Sequence, residues 1–243
     1  MEQKFIQIFD GLKRDYGYAE VSNGYKDSTT GKFKVKHGWA GKQLTDTDYI
    51  QHLNGEKSIG IQPCDDNGMV SFGAIDIDSK AYQNFSPRKY LEIIEKNNLP
   101  VIPVKSKSGG LHLYVHTKDK VKASFLRNFL DKLLYTLELN PTTEIYPKQT
   151  ELGTGPDGSF TNGNFINLPY YNKTERVALN LDGTEFKFDQ YVQVVEANKK
   201  TEQQLNEFID EHIRTILTGG AEEFVDGPPC LQAISKTIDD SNK

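Results

Sequence analysis

Two aspartates two residues apart, Asp76 and Asp78, close the run Ser71–Asp78 (SFGAIDID). Read as a strand, the run alternates its side chains between two faces, so both carboxylates point the same way with Cα atoms roughly 6.6 Å apart. Phe72 and Ala74 share their face, and Ile75 and Ile77 take the other. Two acids so placed can grip one or two hard cations. Taken alone, the pattern equally describes an ordinary strand that ends in a polar turn.

A second constellation is Lys105–Tyr114 (KSKSGGLHLY). Gly109 and Gly110 permit a tight turn whose backbone N–H groups can face an anion. Ser108 adds a hydroxyl, and Lys105 and Lys107 add charge. His112 and Tyr114 share one face of the strand that follows, where a histidine just past an exposed turn can donate to a phosphate oxygen. The same residues also describe a hairpin turn with a surface histidine. The G-K-[ST] ending of a Walker A loop is absent.

The third stretch is Thr143–Gln149 (TEIYPKQ), where Glu144 offers a third carboxylate and Lys148 a charge that can neutralise phosphate. The fourth is Gly163–Tyr170 (GNFINLPY), too apolar for a loop. Its Asn164 and Asn167, three apart, fall on opposite faces of a strand, so one points into the core or a site; a buried structural asparagine is the equal alternative.

The elements that carry these stretches follow from apolar spacing. Residues 4–16 suit a short helix, and residues 17–44 read as loops with an irregular hairpin. Thr45–Leu53 reads as a helix capped by Thr45, with Asp48 near its positive end. Ser58–Pro63 and Met69–Asp78 read as strands around Asp65–Gly68, whose Asn-Gly is a hairpin signal. A helix over Ser86–Asn97 starts with Pro87 in its first turn. Val101–Lys105 and Leu111–His116 read as strands. Lys122–Leu139 is a helix with the stripe Phe125, Phe129, Leu130, Leu133 and Leu137. Thr143–Tyr146 and Asn164–Leu168 are short strands, Leu179–Phe188 a hairpin around Asp182-Gly183, and Thr201–Leu217 a helix with a Thr201/Gln204 capping box. Strands and helices mix without strict βαβ alternation, which predicts an α+β fold.

The chain has 243 residues, 36% hydrophobic and 26% charged, enough for one large domain or two small ones with a real core. No apolar run reaches the roughly 20 residues that cross a membrane, and the N-terminus lacks the pattern of a signal peptide. Cys64 and Cys230 form no metal-spaced cluster, so we expect no structural zinc and a reducing compartment. The net charge of −5 is uneven. Residues 26–42 carry Lys26, Lys32, Lys34, Lys36 and Lys42 against Asp27 alone; residues 101–150 hold eight Lys/Arg against four Asp/Glu. Only local field matters to a polyanion in a groove.

Together, in this order, the four stretches resemble the archaeo-eukaryotic primase superfamily, also called primase–polymerases, and most of all the primase domains of phage, mobile-element and conflict-system proteins. Those combine a D-x-D strand, an S-x-S-G-x-x-H turn, a [DE]-h-[FY]-P-K-Q stretch and a G-N-h-I-x-L-P-[YL] stretch. The resemblance covers about residues 50–195; the third acid is often aspartate in the superfamily and is Glu144 here.

The resemblance implies a split catalytic module with an RNA-recognition-motif-like antiparallel sheet, plus an N-terminal α/β unit and flanking helices, over residues 1–200. A C-terminal helix over 201–218 would follow, then a linker and the start of a truncated primase C-terminal module over 219–243, where Gly227–Gln232 resembles its opening. It implies that Asp76, Asp78 and Glu144 hold two Mg²⁺ or Mn²⁺ ions. Ser108, Gly109, Gly110 and His112 would bind the incoming nucleotide, with Lys107, Lys148 and Asn164 as weaker candidates. The implied partners are a single-stranded DNA template, a primer strand, NTP or dNTP, and a C-terminal helical and helicase region of a longer protein, with no membrane. The expected activity is template-directed nucleotide transfer that makes or extends primers in replication of a phage or mobile element, in the cytoplasm of a bacterial or phage-infected cell. A metal-dependent nuclease and a non-catalytic nucleic-acid-binding module are the alternatives.

Overall fold

Alternation along the Asp76 run sets the architecture. In this computed structural model the described residues are 1–20, 25–26, 28, 33–34, 36–156, 158–172 and 174–219. The helices are α1 (Glu2–Ile8), α2 (Asp46–Leu53), α3 (Pro87–Lys96), α4 (Ala123–Thr136), α5 (Phe188–Asn198) and α6 (Glu202–Gly219). The strands are β1 (Gly17–Ala19), β2 (Tyr25–Lys26), β3 (Phe33–Lys34), β4 (His37–Trp39), β5 (Ser58–Ile61), β6 (Met69–Ile77), β7 (Ile102–Lys105), β8 (Leu111–Lys122), β9 (Glu144–Tyr146) and β10 (Ile166–Asn167). Met1–Thr201 forms one compact unit; a second begins at Glu202 and contains α6. Residues 220–243, and with them the expected linker and truncated module, lie outside the described residues, as does Lys32 of the basic stretch.

The first unit holds two four-stranded antiparallel sheets, ordered β10-β5-β1-β4 and β7-β8-β6-β9, and the two-stranded ribbon β2-β3. The fold is α+β as expected. In the second sheet, Ile75 and Ile77 of β6, Leu111 and Leu113 of β8 and Ile145 of β9 share the face that α4 covers. Leu126, Leu130, Leu133 and Leu134 of α4 are buried, each contributing about 1.5–3 kcal/mol. Gly73 sits under this helix: a Cβ there would lie 2.9 Å from a Leu130 methyl. The other face carries Phe72, Ala74, Tyr114 and Tyr146 into a core shared with Phe5 and Ile8 of α1, Tyr49 of α2, Ile59 and Ile61 of β5 and Tyr191 of α5.

Several expectations are corrected. The helix expected over residues 4–16 stops at Ile8, because the chain must then pass close to Gln62: Leu12 N donates to Gln62 O at 2.9 Å, and a Cβ on Gly11 would lie 2.3 Å from that oxygen. The stretch 17–44 contains two sheet strands, β1 and β4, besides the ribbon; each is three residues long and gains its identity from distant partners. The Asn-Gly turn is present, with Asp65 N donating to Met69 O at 2.9 Å and Gly68 at φ +71°, but it makes no hairpin. It passes the chain from β5 in one sheet to β6 in the other. Helix α5, with Tyr191, Val192 and Val195 buried, has no counterpart among the expected elements; its valines read as strand formers and only packing makes them helical.

Candidate active site

Register places the key residues in a row. Asp76 on β6 pairs with Glu144 on β9 and, on its other side, with His112 on β8, which in turn pairs with Val104 on β7. Directly paired residues share a face with Cβ atoms about 4.5–5.5 Å apart. The row Glu144–Asp76–His112 therefore lies across three adjacent strands, at the end of the sheet where the turn Ser106–Gly110 joins β7 to β8.

The imidazole of His112 is held from both ends. Its Nε2 lies 3.4 Å from Asp76 Oδ1, and its Nδ1 lies 3.4 Å from the Tyr114 hydroxyl. That hydroxyl donates to Asn167 O at 3.2 Å. A phenol has one proton; given to the Asn167 carbonyl, it leaves the oxygen free to accept from Nδ1–H. Nε2 then faces Asp76, and it donates there, or to a phosphate, only in the doubly protonated ring. Tyr114 is fully buried, and burial pushes its phenol far above the ordinary range, so it stays protonated.

Glu144 accepts from Lys148 Nζ at 2.7 Å and from the Tyr146 hydroxyl at 3.3 Å. The Lys148 ammonium also lies 5.2 Å from the Tyr146 ring centroid. Asp78 stands just past the end of β6 in extended conformation, exposed, its Oδ1 accepting from Lys80 N at 3.0 Å as the cap of the 3-10 turn Ser79–Ala81. Asp76 and Glu144 are thus adjacent while Asp78 is engaged by its own turn. Among the described residues, no three His, Cys, Asp or Glu side chains are gathered as a metal cluster. The chemistry of the donor set nonetheless fits a hard cation: carboxylate oxygens only, with two acids opposed across neighbouring strands, an arrangement that needs positive charge nearby.

The turn beside the row is closed from within. Ser106 N donates to Gly110 O at 2.9 Å, Gly109 N to Ser106 O at 3.2 Å and Gly110 N to Ser106 Oγ at 3.0 Å. Ser106 Oγ and Ser108 Oγ are 3.0 Å apart. Gly109 has φ +86°, and a Cβ on Gly110 would lie 2.0 Å from Ile77 O, so both glycines are required. The expectation that the Gly109 and Gly110 N–H groups face an anion is corrected, since Ser106 uses both. What the turn presents outward is the exposed Lys107 and Ser108. Asn164 is engaged by Gln149, which donates to Asn164 Oδ1 at 2.6 Å and accepts from Asn164 N at 2.9 Å.

Sequence reading missed Arg176. Residues 177–179 run antiparallel beside β7: Lys105 N donates to Val177 O at 2.9 Å, Leu179 N to Pro103 O at 2.8 Å, and Val104 pairs with Ala178. Ala178 thus falls on the His112 face, and the pairing ends before Arg176, where Val177 N donates to Glu175 O at 2.9 Å and Tyr170 N to Arg176 O at 2.7 Å. Arg176 is 2% exposed. Its Nη2 donates to Ser58 Oγ at 2.7 Å and its Nε to Thr174 Oγ1 at 3.0 Å. Ser58 shares a face of β5 with Gly60, which pairs with Gly17 and Asn167; Gly17 pairs with Trp39. The Phe165 ring lies on the two glycines, where a Cβ on either would come within 2.3 Å of it, and Trp39 meets it edge-on at 5.2 Å. A single extended arginine in a loop carries no sequence signal that would have placed it here.

The chain matches the family described as the TOTE conflict system, Archaeo-Eukaryotic Primase domain, over residues 8–213. Among solved structures, it is similar to the archaeo-eukaryotic primase domain of the primase–polymerase of cyanophage S-2L, with 15% identity, TM-score 0.40, and 79% of this chain and 94% of that chain covered. It is also similar to the catalytic domain of primase RepB′ in complex with initiator DNA, with 9% identity, TM-score 0.39, and 91% and 96% covered. None of the curated proteins matches it. The family match spans most of the chain, and this protein belongs to the archaeo-eukaryotic primase domain family of TOTE conflict systems.

Proposed function

We propose that the protein is a primase–polymerase: a template-directed nucleotidyltransferase that synthesises or extends primers on single-stranded DNA. The observation that carries this reading is the row Glu144–Asp76–His112 beside the Ser106–Gly110 turn, which sets acids next to groups able to bind phosphate. A primase RepB′ bound to initiator DNA is similar in fold, in keeping with a DNA substrate.

In this reading Asp76, Glu144 and Asp78 would hold Mg²⁺ or Mn²⁺. Bound there, the ions supply activation of the attacking 3′-hydroxyl and neutralisation of the triphosphate and the leaving pyrophosphate. The chain's own side chains do the rest. His112, its ring fixed by Tyr114, donates through Nε2 to a phosphate oxygen when the ring is doubly protonated. Ser108 and Lys107 bind the phosphate chain from the turn. Lys148 keeps Glu144 in place and offsets negative charge. The domain division expected from sequence, a catalytic region to about residue 200 and further modules beyond, belongs to the same proposal.

One observation favours a non-catalytic nucleic-acid-binding module instead: Asp78 is not gathered with the other two acids. The test is template-dependent incorporation of labelled nucleotide with Mg²⁺ or Mn²⁺, with and without a primer. Products that lengthen support polymerisation, shortened strands indicate a nuclease, and binding without either indicates the non-catalytic module.

A further inference from the structure

Strand pairing fixes Asp76 against Glu144, and it stops there. Asp78 lies past that last pair, and β9 begins at Glu144, so pairing between β6 and β9 does not set Asp78 relative to Glu144. Strand β9 is also an edge strand of three residues, with β6 as its neighbour in the sheet. Its place depends on what holds its ends. Past its far end Arg127 of α4 does so, Nη1 donating to Ile145 O at 3.2 Å and to Pro147 O at 2.8 Å. At the Glu144 end the holder is Tyr82. Its hydroxyl lies 2.6 Å from Thr143 Oγ1 and accepts from Asn140 N at 3.2 Å. Its ring meets Tyr90 of α3 edge-on, with centroids 6.5 Å apart.

Tyr82 also closes the 3-10 turn that Asp78 opens. Within this turn Ala81 N donates to Asp78 O at 3.0 Å and Lys80 N to Asp78 Oδ1 at 3.0 Å, so turn and carboxylate move together. At the start of the turn Ser79 Oγ donates to Ser108 O at 3.2 Å. One short segment is thus tied to the entry of β9 at one end and to the Ser106–Gly110 turn at the other.

We propose that Tyr82 is a positioning residue: through Thr143 it sets the Asp78 carboxylate against Glu144, so that the two acids act on one hard cation. This rests on the reading of Asp76, Asp78 and Glu144 as metal ligands. A carboxylate has about four acceptor sites, so Asp78 keeps sites to spare while Oδ1 caps the turn. Strand pairing sets one pair of acids and Tyr82 sets the other. An outer partner that orients a metal ligand is worth about ten- to hundredfold in metal affinity.

The experiment is titration of the full chain with Mn²⁺, without nucleotide or template, the free ion being read by its electron paramagnetic resonance signal. Tyr82→Phe keeps the ring and loses the hydroxyl; Thr143→Val removes the other half of the bridge. Each is made alone and together with Asp78→Asn. We expect either single variant to weaken Mn²⁺ binding about tenfold, and neither to weaken it further once Asp78→Asn is present. A merely structural role would lower affinity alike in both backgrounds. Should Tyr82→Phe fail to fold, Thr143→Val decides in the same two backgrounds. Mn²⁺ affinity equal to wild type in the folded single variants would overturn the proposal. So would an equal loss with and without Asp78→Asn, which would assign Tyr82 to holding β9 alone. A wild type that takes up no Mn²⁺ would remove the metal reading and the proposal with it. Mn²⁺ binding that depends on Tyr82 through Asp78, in a protein that transfers no nucleotide, would keep the proposal and remove the polymerase reading.

Discussion

Asp76 and Glu144 are direct partners across β6 and β9, two acids on one face of one sheet. Like charges placed so oppose folding by about 0.2–1 kcal/mol, and Lys148 pairs with Glu144 alone of the two. Divalent cation should therefore raise the melting temperature of the wild type. Asp76→Asn and Glu144→Gln should fold and lose most of that metal-dependent rise. A rise unchanged in both variants would move the metal away from this pair.

Tyr114 links the row to the other sheet through Asn167 O. Tyr114→Phe removes the hydroxyl and leaves the buried ring. Losing a group that orients a site residue costs about 10–100-fold. We expect a drop of that size in nucleotide incorporation, with the larger part in apparent KM, at a stability cost of about 1 kcal/mol. Equal kinetics would show that His112 needs no orientation from Tyr114.

Gly110 packs directly on the Ile77 carbonyl. Gly110→Ala must push the turn off the end of β6, an overpacking cost of about 1–3 kcal/mol. Denaturant unfolding should register it. A stability within experimental error of wild type would mean that the turn relaxes freely.

These three sites differ in how far sequence revealed them. The faces of β6 and β8 were legible because strand period alone assigns Asp76, His112 and Tyr114 to one side. The register that sets Glu144 against Asp76 was not, since it depends on pairing between segments almost 70 residues apart. The same limit hid β1 and β4, which are too short to carry a pattern of their own. It also turned an Asn-Gly turn into an expected hairpin, although its flanking strands find better partners in different sheets. Arg176 was hidden for a further reason: its burial against Ser58 and Tyr171 is set only by packing.

His52 gives the protein a pH dependence of known sign. Its Nδ1 accepts from Ile59 N at 3.1 Å and its Nε2 lies 2.8 Å from Pro169 O, so the folded state wants the neutral ring. Burial, then the charge of Arg176, lowers it to about 3. The unfolded chain takes up that proton near pH 6.5, so stability is full above that value and falls as pH drops from about 6.5 toward 3, by up to about 1.4 kcal/mol per pH unit. Burial lowers His116 in the same direction. Urea midpoints should fall between pH 7 and 5, and more gently in His52→Gln. An equal slope in that variant would remove His52 as a source.

The most direct measurement is primer extension on a single-stranded DNA template with labelled nucleotides and Mn²⁺, comparing wild type with Asp76→Ala. We expect lengthened products from the wild type and only background from a variant that melts as a folded protein. Wild-type-like extension by Asp76→Ala, or a wild type that binds template and nucleotide yet lengthens nothing, would contradict the assignment of the Glu144–Asp76–His112 row as a nucleotidyl-transfer site.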